Sequence, residues 1–456
     1  MRRLPTRKAL VVGALLVAAL AIRVAEVQGS SYRPVNDAGS YLTLASQIAH
    51  TGDYPTSSAP GSGAGGTRGP TAYFPPAYPY FLAAVDLIDG HTTPRGGAIH
   101  PARLSQALLG TVTVALIGLV ALELFGGTVA LIALGLAAVY PVLIELSGIL
   151  VAENLMTPLI LGACWAALRA RRSPRPYRWI AAAGVLTGLG TLVHMNGIVL
   201  LVPLAVAAWT VRRSLPAPAL LIATALLTLT PWVVRNVVLM HGFASVSDET
   251  GITLVGAYNP ASAAYQPVPY KWRLYYGIPG ERSLIRQSRR LTEPELSGRL
   301  QSQALHYISD HPLAPLAVGY HNSLRLLELE GSFAWLASAE AMSIPRGIAE
   351  VGVISFWVLC GLALVGALTR TARGAPRWLW LAPALLWLSV AAVNAETPRF
   401  REPIDPFVLL LAACGVAAAF RAPRRRLAGA PVGRQGGAAA ISARAAEPVQ
   451  MRERLA

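Results

Sequence analysis

The chain has 456 residues, of which 54% are hydrophobic and only 14% charged, with a mean hydropathy of +0.47. Soluble domains carry about a quarter of their residues as charges, so the roughly three soluble domains that the length would suggest are excluded. The apolar residues instead lie in blocks long enough to cross a bilayer, which takes about 20 residues per helix. The chain reads as an all-α polytopic membrane protein.

Ten candidate spans follow in chain order, near 9–25, 104–125, 128–146, 149–168, 179–194, 197–211, 217–238, 348–368, 378–394 and 404–420. The first follows Arg2, Arg3, Arg7 and Lys8, as a signal peptide would, but Arg23 and Glu26 stand where a small-residue cleavage pattern is needed. It reads as an uncleaved helix. With the N-terminus inside and strict alternation, the C-terminus is also inside. The inner segments then hold 22 of the 39 basic residues against three acidic ones, a net +19, and the rest of the chain carries −3. This is the positive-inside pattern. The overall charge of +16 therefore reports orientation in the membrane, and a nucleic-acid partner is excluded. Cys164, Cys360 and Cys414 all fall in apolar blocks and read as small buried hydrophobes.

The expected organisation is a transmembrane region 1–238 with a first outer loop 26–103, a large outer loop 239–347, C-terminal spans 348–420, and a basic, disordered cytoplasmic tail 421–456. In the first outer loop, Tyr41, Leu44, Ala45 and Ile48 mark one face of a helix over about 38–50. Asp37 sits at its N-cap and Gly52 at its stop. Residues 57–70 have almost no side chains to pack and read as mobile. The stretch 72–90 is broken by Pro75, Pro76 and Pro79 and reads as a turn and a short interfacial helix. In the second loop, 245–290 shows no period. Residues 293–311 form an amphipathic helix ending at Pro312, and a second amphipathic stretch, 313–329, lies on the membrane.

With this topology the ionisable residues at span ends gather on the outer face: Asp37, Glu145, Glu153, His194, Arg235, Glu396, Arg399, Arg401 and Glu402. Charges at membrane depth are costly and mark functional sites by default. Each also has a plainer role. Arg235 and Arg399 could snorkel to headgroups, Asp37 could be only a cap, His194 a hydrogen-bonded turn residue, and Glu153 half of a structural ion pair.

The chain resembles the polytopic glycosyltransferases of the GT-C superfamily over roughly residues 8–420. Within them it is most similar to the protein O-mannosyltransferases and aminoarabinose transferases, which use polyprenyl-phosphate sugars. The resemblance rests on Asp37 with Tyr41 and Gly52-Asp53-Tyr54-Pro55, Tyr73-Phe74-Pro75-Pro76 with Tyr78, Arg103, and Glu153. It continues with Gly188-Leu189-Gly190 leading to His194, Pro231-Trp232 with Arg235-Asn236, Ala304 to His311-Pro312, and Arg399-Phe400 with Pro403. It implies a GT-C-like fold in a multi-pass protein of the cell (plasma) membrane, with the active site on the outer face. It implies transfer of mannose or another hexose or pentose from a polyprenyl-phosphate donor to a hydroxyl of an envelope glycan, lipid or protein. Asp37 would be the catalytic base. Tyr41, Tyr73, Glu153, His194, Arg235, Arg399 and Arg401 would bind substrate. Beyond the lipid-linked donor, the acceptor and membrane lipids, no cofactor is implied with certainty, and the requirement for a divalent metal stays open. Two departures bear on this. Ala38 follows Asp37 where the best-known branches have a glutamate, and His194 stands where relatives often have a lysine or arginine.

Two other functions compete. A multi-pass transporter would show repeats and polar sites near the bilayer midplane, whereas here the polar residues lie at the edge. Another envelope polysaccharide polymerase or ligase would share the large outer loop but needs no early aspartate.

Overall fold

The computed structural model describes residues 6–55, 66–90, 98–241, 243, 245–279 and 282–428. The chain divides into a large unit, Met1–Ala418, and a C-terminal unit, Ala419–Ala456. The large unit carries the fold and the candidate site. The tail expected over 421–456 lies outside the described residues from 429 onward, as do residues 56–65, which include most of the stretch expected to be mobile.

The described residues are almost entirely helical, with no strand among them. The chain opens with α1 (Thr6–Gly29), α2 (Asp37–Thr51), α3 (Ala77–Asp89) and α4 (Ile99–Phe125). There follow α5 (Gly127–Val139), α6 (Pro141–Leu146), α7 (Glu153–Ala170), α8 (Pro176–Val193), α9 (Leu201–Arg212) and α10 (Pro216–Leu239). The long segment after α10 folds as α11 (Thr250–Ala257), α12 (Pro260–Ala263), α13 (Arg282–Ser288), α14 (Glu293–Asp310), α15 (Ala314–Leu326) and α16 (Ser332–Ala341). The chain ends on α17 (Arg346–Ala367), α18 (Arg370–Arg373), α19 (Arg377–Ala391) and α20 (Asp405–Ala428).

Four helices, α1, α4, α10 and α17, are each long and apolar enough to cross a membrane. Shorter apolar helices cover four further expected spans, and α7 and α8, 18 residues each, occupy the other two. Helix α8 packs between α7 and α10, and α4 lies against α1, α5 and α7.

Two expected spans are interrupted. The third, 128–146, breaks at Tyr140 because Pro141 has no N–H to continue the ladder. The carbonyl of Ala137, which that N–H would have met, instead accepts from Arg23 Nη2 at 3.4 Å. Arg23 Nη1 reaches the Ala138 carbonyl at 3.3 Å, and its Nε donates to Ser147 Oγ at 3.2 Å. A fully buried arginine in α1 is thus satisfied by the backbone groups that the proline releases. The sixth span starts as a 3-10 turn, Met195–Leu200, before α9 begins.

The segments after α1 and after α10 hold more structure than periodicity predicted. Residues 245–290 contain α11 to α13, and α11 packs on α14. Helix α14 opens with a capping box, Thr292 with Glu295, as its sequence favours. Arg68, within the stretch expected to be mobile, is tied down: its N–H donates to the Leu291 carbonyl at 2.8 Å and its Nε to the Arg289 carbonyl at 2.9 Å. Arg103, opening α4, donates to the carbonyls of Gly148, Val27 and Ser30 and to Ser30 Oγ at 2.6 Å. It closes the C-terminal end of α1 and fixes where the segment leading to α2 departs.

Candidate active site

Helix α2 begins one residue earlier than its cap pattern predicts. Asp37 is the first helical residue, after Asn36 at φ 51°, and no side chain caps the helix. The Asp37 carboxylate is therefore not used by its own backbone. Asn36 Nδ2 donates to the Ala341 carbonyl at 2.8 Å, and Ser343 Oγ donates to the Arg33 carbonyl at 3.0 Å. These bonds pin the approach to α2 against the loop after α16. The helix ends at Gly52, whose φ of 81° is the left-handed conformation expected of a stop.

Asp37 Oδ2 accepts from Arg399 Nη1 at 2.7 Å. Arg399 Nε points to Glu153, 2.8 and 3.0 Å from its two oxygens. Asp37 and Glu153 each open a helix, where unpaired N–H groups favour a carboxylate. Arg399 bridges the two from the short 3-10 turn Arg399–Arg401 before α20. Glu153 is 2% exposed at its side chain and Arg399 9%, whereas Asp37 is 40% exposed. Burial works against the charge on Arg399, but Glu153 and then Asp37 outweigh it and hold its pKa well above the usual value. The arrangement is a buried ion pair with one carboxylate turned outward.

That carboxylate faces a cavity of about 630 Å³. Tyr41, Tyr73, His194 and Arg399 share its wall with Asp37. Tyr41 follows Asp37 by one helical turn and stacks edge-on against Tyr78, with ring centroids 4.8 Å apart. Burial, then the nearby Asp37 charge, pushes the Tyr41 phenol well up, so it is a neutral hydrogen-bonding group. His194 closes α8 in an extended conformation, and its side chain hydrogen-bonds with that of Asn196. Asp37 opens α2 beyond the end of α1, Glu153 opens α7, His194 ends α8, and Arg399 lies in the α19–α20 turn. Asp37, His194 and Arg399 meet at one cavity, with Glu153 behind Arg399.

Arg235 and Arg401 are placed elsewhere. Arg235 Nη1 donates to the Thr71 carbonyl at 2.8 Å, and its guanidinium lies 4.6 Å from the Trp232 ring and 5.4 Å from that of Tyr54. It braces the segment that carries Tyr73. Arg401 is 1% exposed and bonded to Glu328 at 2.8 Å and Asp405 at 3.0 Å, 3.5 Å from the Phe356 ring. Neither lines the cavity.

Two further carboxyl groups do line it, Glu249 and Glu396. Glu249 comes from the segment without periodicity, so no spacing could single it out. Glu396 stands among the charges of the outer turn but carries no pattern of its own. Burial, followed by the charge of Asp37, pushes the Glu249 carboxyl up to about 8. Burial also raises Glu396, with Arg399 pulling the other way. Among the described residues, no group of three or more His, Cys, Asp or Glu side chains is arranged to hold a metal ion.

Residues 74–234 match the family model described as dolichyl-phosphate-mannose-protein mannosyltransferase. No curated protein matches the chain. Among solved structures, the apo oligosaccharyltransferase of Archaeoglobus fulgidus is similar at 16% identity and a TM-score of 0.52, over 94% of this chain and 53% of that one. The oligosaccharyltransferase AglB of the same organism, with an inhibitory peptide and a dolichol-phosphate, is similar at 14% identity and a TM-score of 0.50, over 93% and 52%. ArnT from Cupriavidus metallidurans bound to undecaprenyl phosphate aligns over 92% of this chain and 81% of its own, at 18% identity and a TM-score of 0.39. The chain spans about half the length of the archaeal proteins. The chain shares the helical fold of the archaeal structures, and residues 74–234 carry the match to the mannosyltransferase family model.

Proposed function

We propose that the chain is a membrane glycosyltransferase that moves a sugar from a polyprenyl phosphate to an acceptor hydroxyl at the outer face of the cell membrane, with Asp37 as general base. The observation that carries this reading is the Asp37 carboxylate, turned into the 630 Å³ cavity and held from behind by Arg399 and Glu153. A hydroxyl is a weak nucleophile, and a fixed carboxylate within hydrogen-bond reach can take its proton as the bond to the anomeric carbon forms. Asp37 Oδ1 would receive that proton while Oδ2 stays on Arg399. The electron pair of the breaking C–O bond leaves with the lipid phosphate, a stable anion, so the donor is already activated. Tyr41, Tyr73 and His194 line the space in which the sugar and phosphate would sit. Arg399 acts through Asp37, keeping it in one orientation. Arg235, through Thr71, would support the Tyr73 side of the cavity.

The test is transfer by purified Asp37→Asn protein, supplied with a panel of polyprenyl-phosphate sugars. Loss of transfer by at least about 100-fold with unchanged thermal stability is expected. Near-normal transfer would sink the assignment.

A further inference from the structure

The cavity poses an electrostatic problem for a glycosyltransferase of this kind, and its solution rests on that proposed function. A lipid phosphate entering it meets Asp37, Glu249 and Glu396 on the wall, and Glu153 behind Arg399. The guanidinium of Arg399 is already shared by two carboxylates. Like charges at such distances repel strongly where water is excluded, so at least one carboxyl group must stop being an anion before the phosphate can settle.

The geometry singles out Glu249. It precedes α11, yet its side chain does not cap that helix, and it takes no hydrogen bond from any described residue. Its position is held firmly by its neighbours. Ser247 Oγ donates to the Tyr73 carbonyl at 2.6 Å, Glu249 N–H donates to Ser247 Oγ at 3.1 Å, and Asp248 N–H donates to the Ala72 carbonyl at 3.2 Å. Ser297 Oγ of α14 donates to the Asp248 carbonyl at 2.5 Å. The loop is stitched on both sides, which leaves the Glu249 carboxyl facing the cavity from a rigid base.

We propose that Glu249 stands in this cavity as a neutral carboxylic acid and donates a hydrogen bond to a phosphate oxygen of the bound polyprenyl phosphate. The charges that act on it come from several elements. Asp37 on α2 and Glu153 on α7 favour the protonated form, and Arg399 favours the ionised form. The N-terminus of α11 also favours the ionised form. Burial and Asp37 prevail and push the carboxyl up to about 8. Glu396 lies on the same cavity wall and is partly answered by Lys271. A bound phosphate would hold the proton on Glu249 more firmly still, so the donor and its ligand reinforce one another. A protonated carboxyl bonded to an anionic oxygen is also a strong, charge-assisted donor.

The experiment is equilibrium binding of a polyprenyl monophosphate to the full chain in detergent between pH 7 and 9.5, with the uncharged polyprenol as control. Phosphate monoesters lose their second proton near pH 6, and an ordinary histidine titrates near 6.5, so neither changes charge in this window. If only protonated Glu249 binds, affinity should fall about 30-fold across it. Polyprenol binding should stay flat. Lys271, whose ammonium burial pulls down, is unaltered in Glu249→Gln. That variant keeps a neutral donor and should bind the phosphate at every pH with no such fall, while Glu249→Ala should bind poorly throughout. Wild-type binding independent of pH, the same fall for polyprenol, or the same fall in Glu249→Gln would overturn the role of Glu249 alone. Absence of polyprenyl phosphate binding by the wild type at every pH would overturn the proposed function as well.

Discussion

The ion pair behind Asp37 can be tested by breaking it from each side. Arg399→Met leaves Glu153 buried, with 2% of its side chain exposed, and without its partner. Glu153→Met leaves Arg399 buried, with only the half-exposed Asp37 to meet it. Breaking such a buried pair from one side typically costs about 3–5 kcal/mol, whereas replacing both partners with apolar side chains is often close to neutral. Two unit charges about 4 Å apart attract by about 4 kcal/mol at an effective dielectric of about 20. The double variant Arg399→Met with Glu153→Met should therefore be more stable than either single variant. The coupling in the cycle should be about 2 kcal/mol or more. Thermal denaturation of the four proteins in one detergent measures this. Additive losses, with a coupling below about 0.5 kcal/mol, would refute the buried pair. Transfer separates stability from catalysis. The double variant should remain folded yet transfer poorly, because Asp37 has lost the contact that orients it. Full activity in that variant would show that the clamp is dispensable.

Asp248 and Glu293 form a second buried carboxyl pair, each pushed above the usual carboxylate range, chiefly by burial. Because the folded protein then holds protons that the unfolded chain has released, stability should fall as pH rises from about 4 towards the raised folded values. Asp248→Asn should flatten that fall, and an unchanged pH dependence of the thermal midpoint would refute the pairing. A Cβ at Gly366 of α17 would lie 1.8 Å from the Leu411 carbonyl of α20. Gly366→Ala should therefore cost about 1–3 kcal/mol by forcing these helices apart, and a wild-type thermal midpoint would contradict the close contact. Arg235→Gln removes the bond to Thr71, so its effect should fall on thermal stability, with donor affinity within about twofold of wild type. A loss of about tenfold or more would mean that Arg235 itself meets the lipid phosphate.

Fold class and membrane character were legible in the sequence because they depend on local quantities. Apolar run length, the placement of arginines in short loops and the helical period over 38–50 and 293–311 each involve neighbours along the chain, and α2 and α14 lie where that period puts them. Asp37, Tyr41, Tyr73, Glu153, His194 and Arg399, selected from span ends and family-like motifs, do come to one cavity or to the ion pair behind it. Asp37 itself was less legible. The pattern that marks a helix cap is also the pattern of a carboxylate opening a helix, and its partner Arg399 is 362 residues away.

By itself, then, the sequence determined that the chain is helical, is rich in apolar helices of a membrane protein, and carries its costly polar groups near the ends of apolar runs. Only the tertiary structure decided which of those groups act together. Arg399 went to Asp37 and Glu153, Arg401 to Glu328 and Asp405, and Arg235 to the Thr71 carbonyl. Glu249, which has no periodic signal, was brought to the cavity by hydrogen bonds to residues 72–73 and to α14. The physical reason is the range of the forces. Span-forming hydrophobicity can be summed along the chain, whereas a buried charge takes its partner from whatever the fold places within about 4 Å.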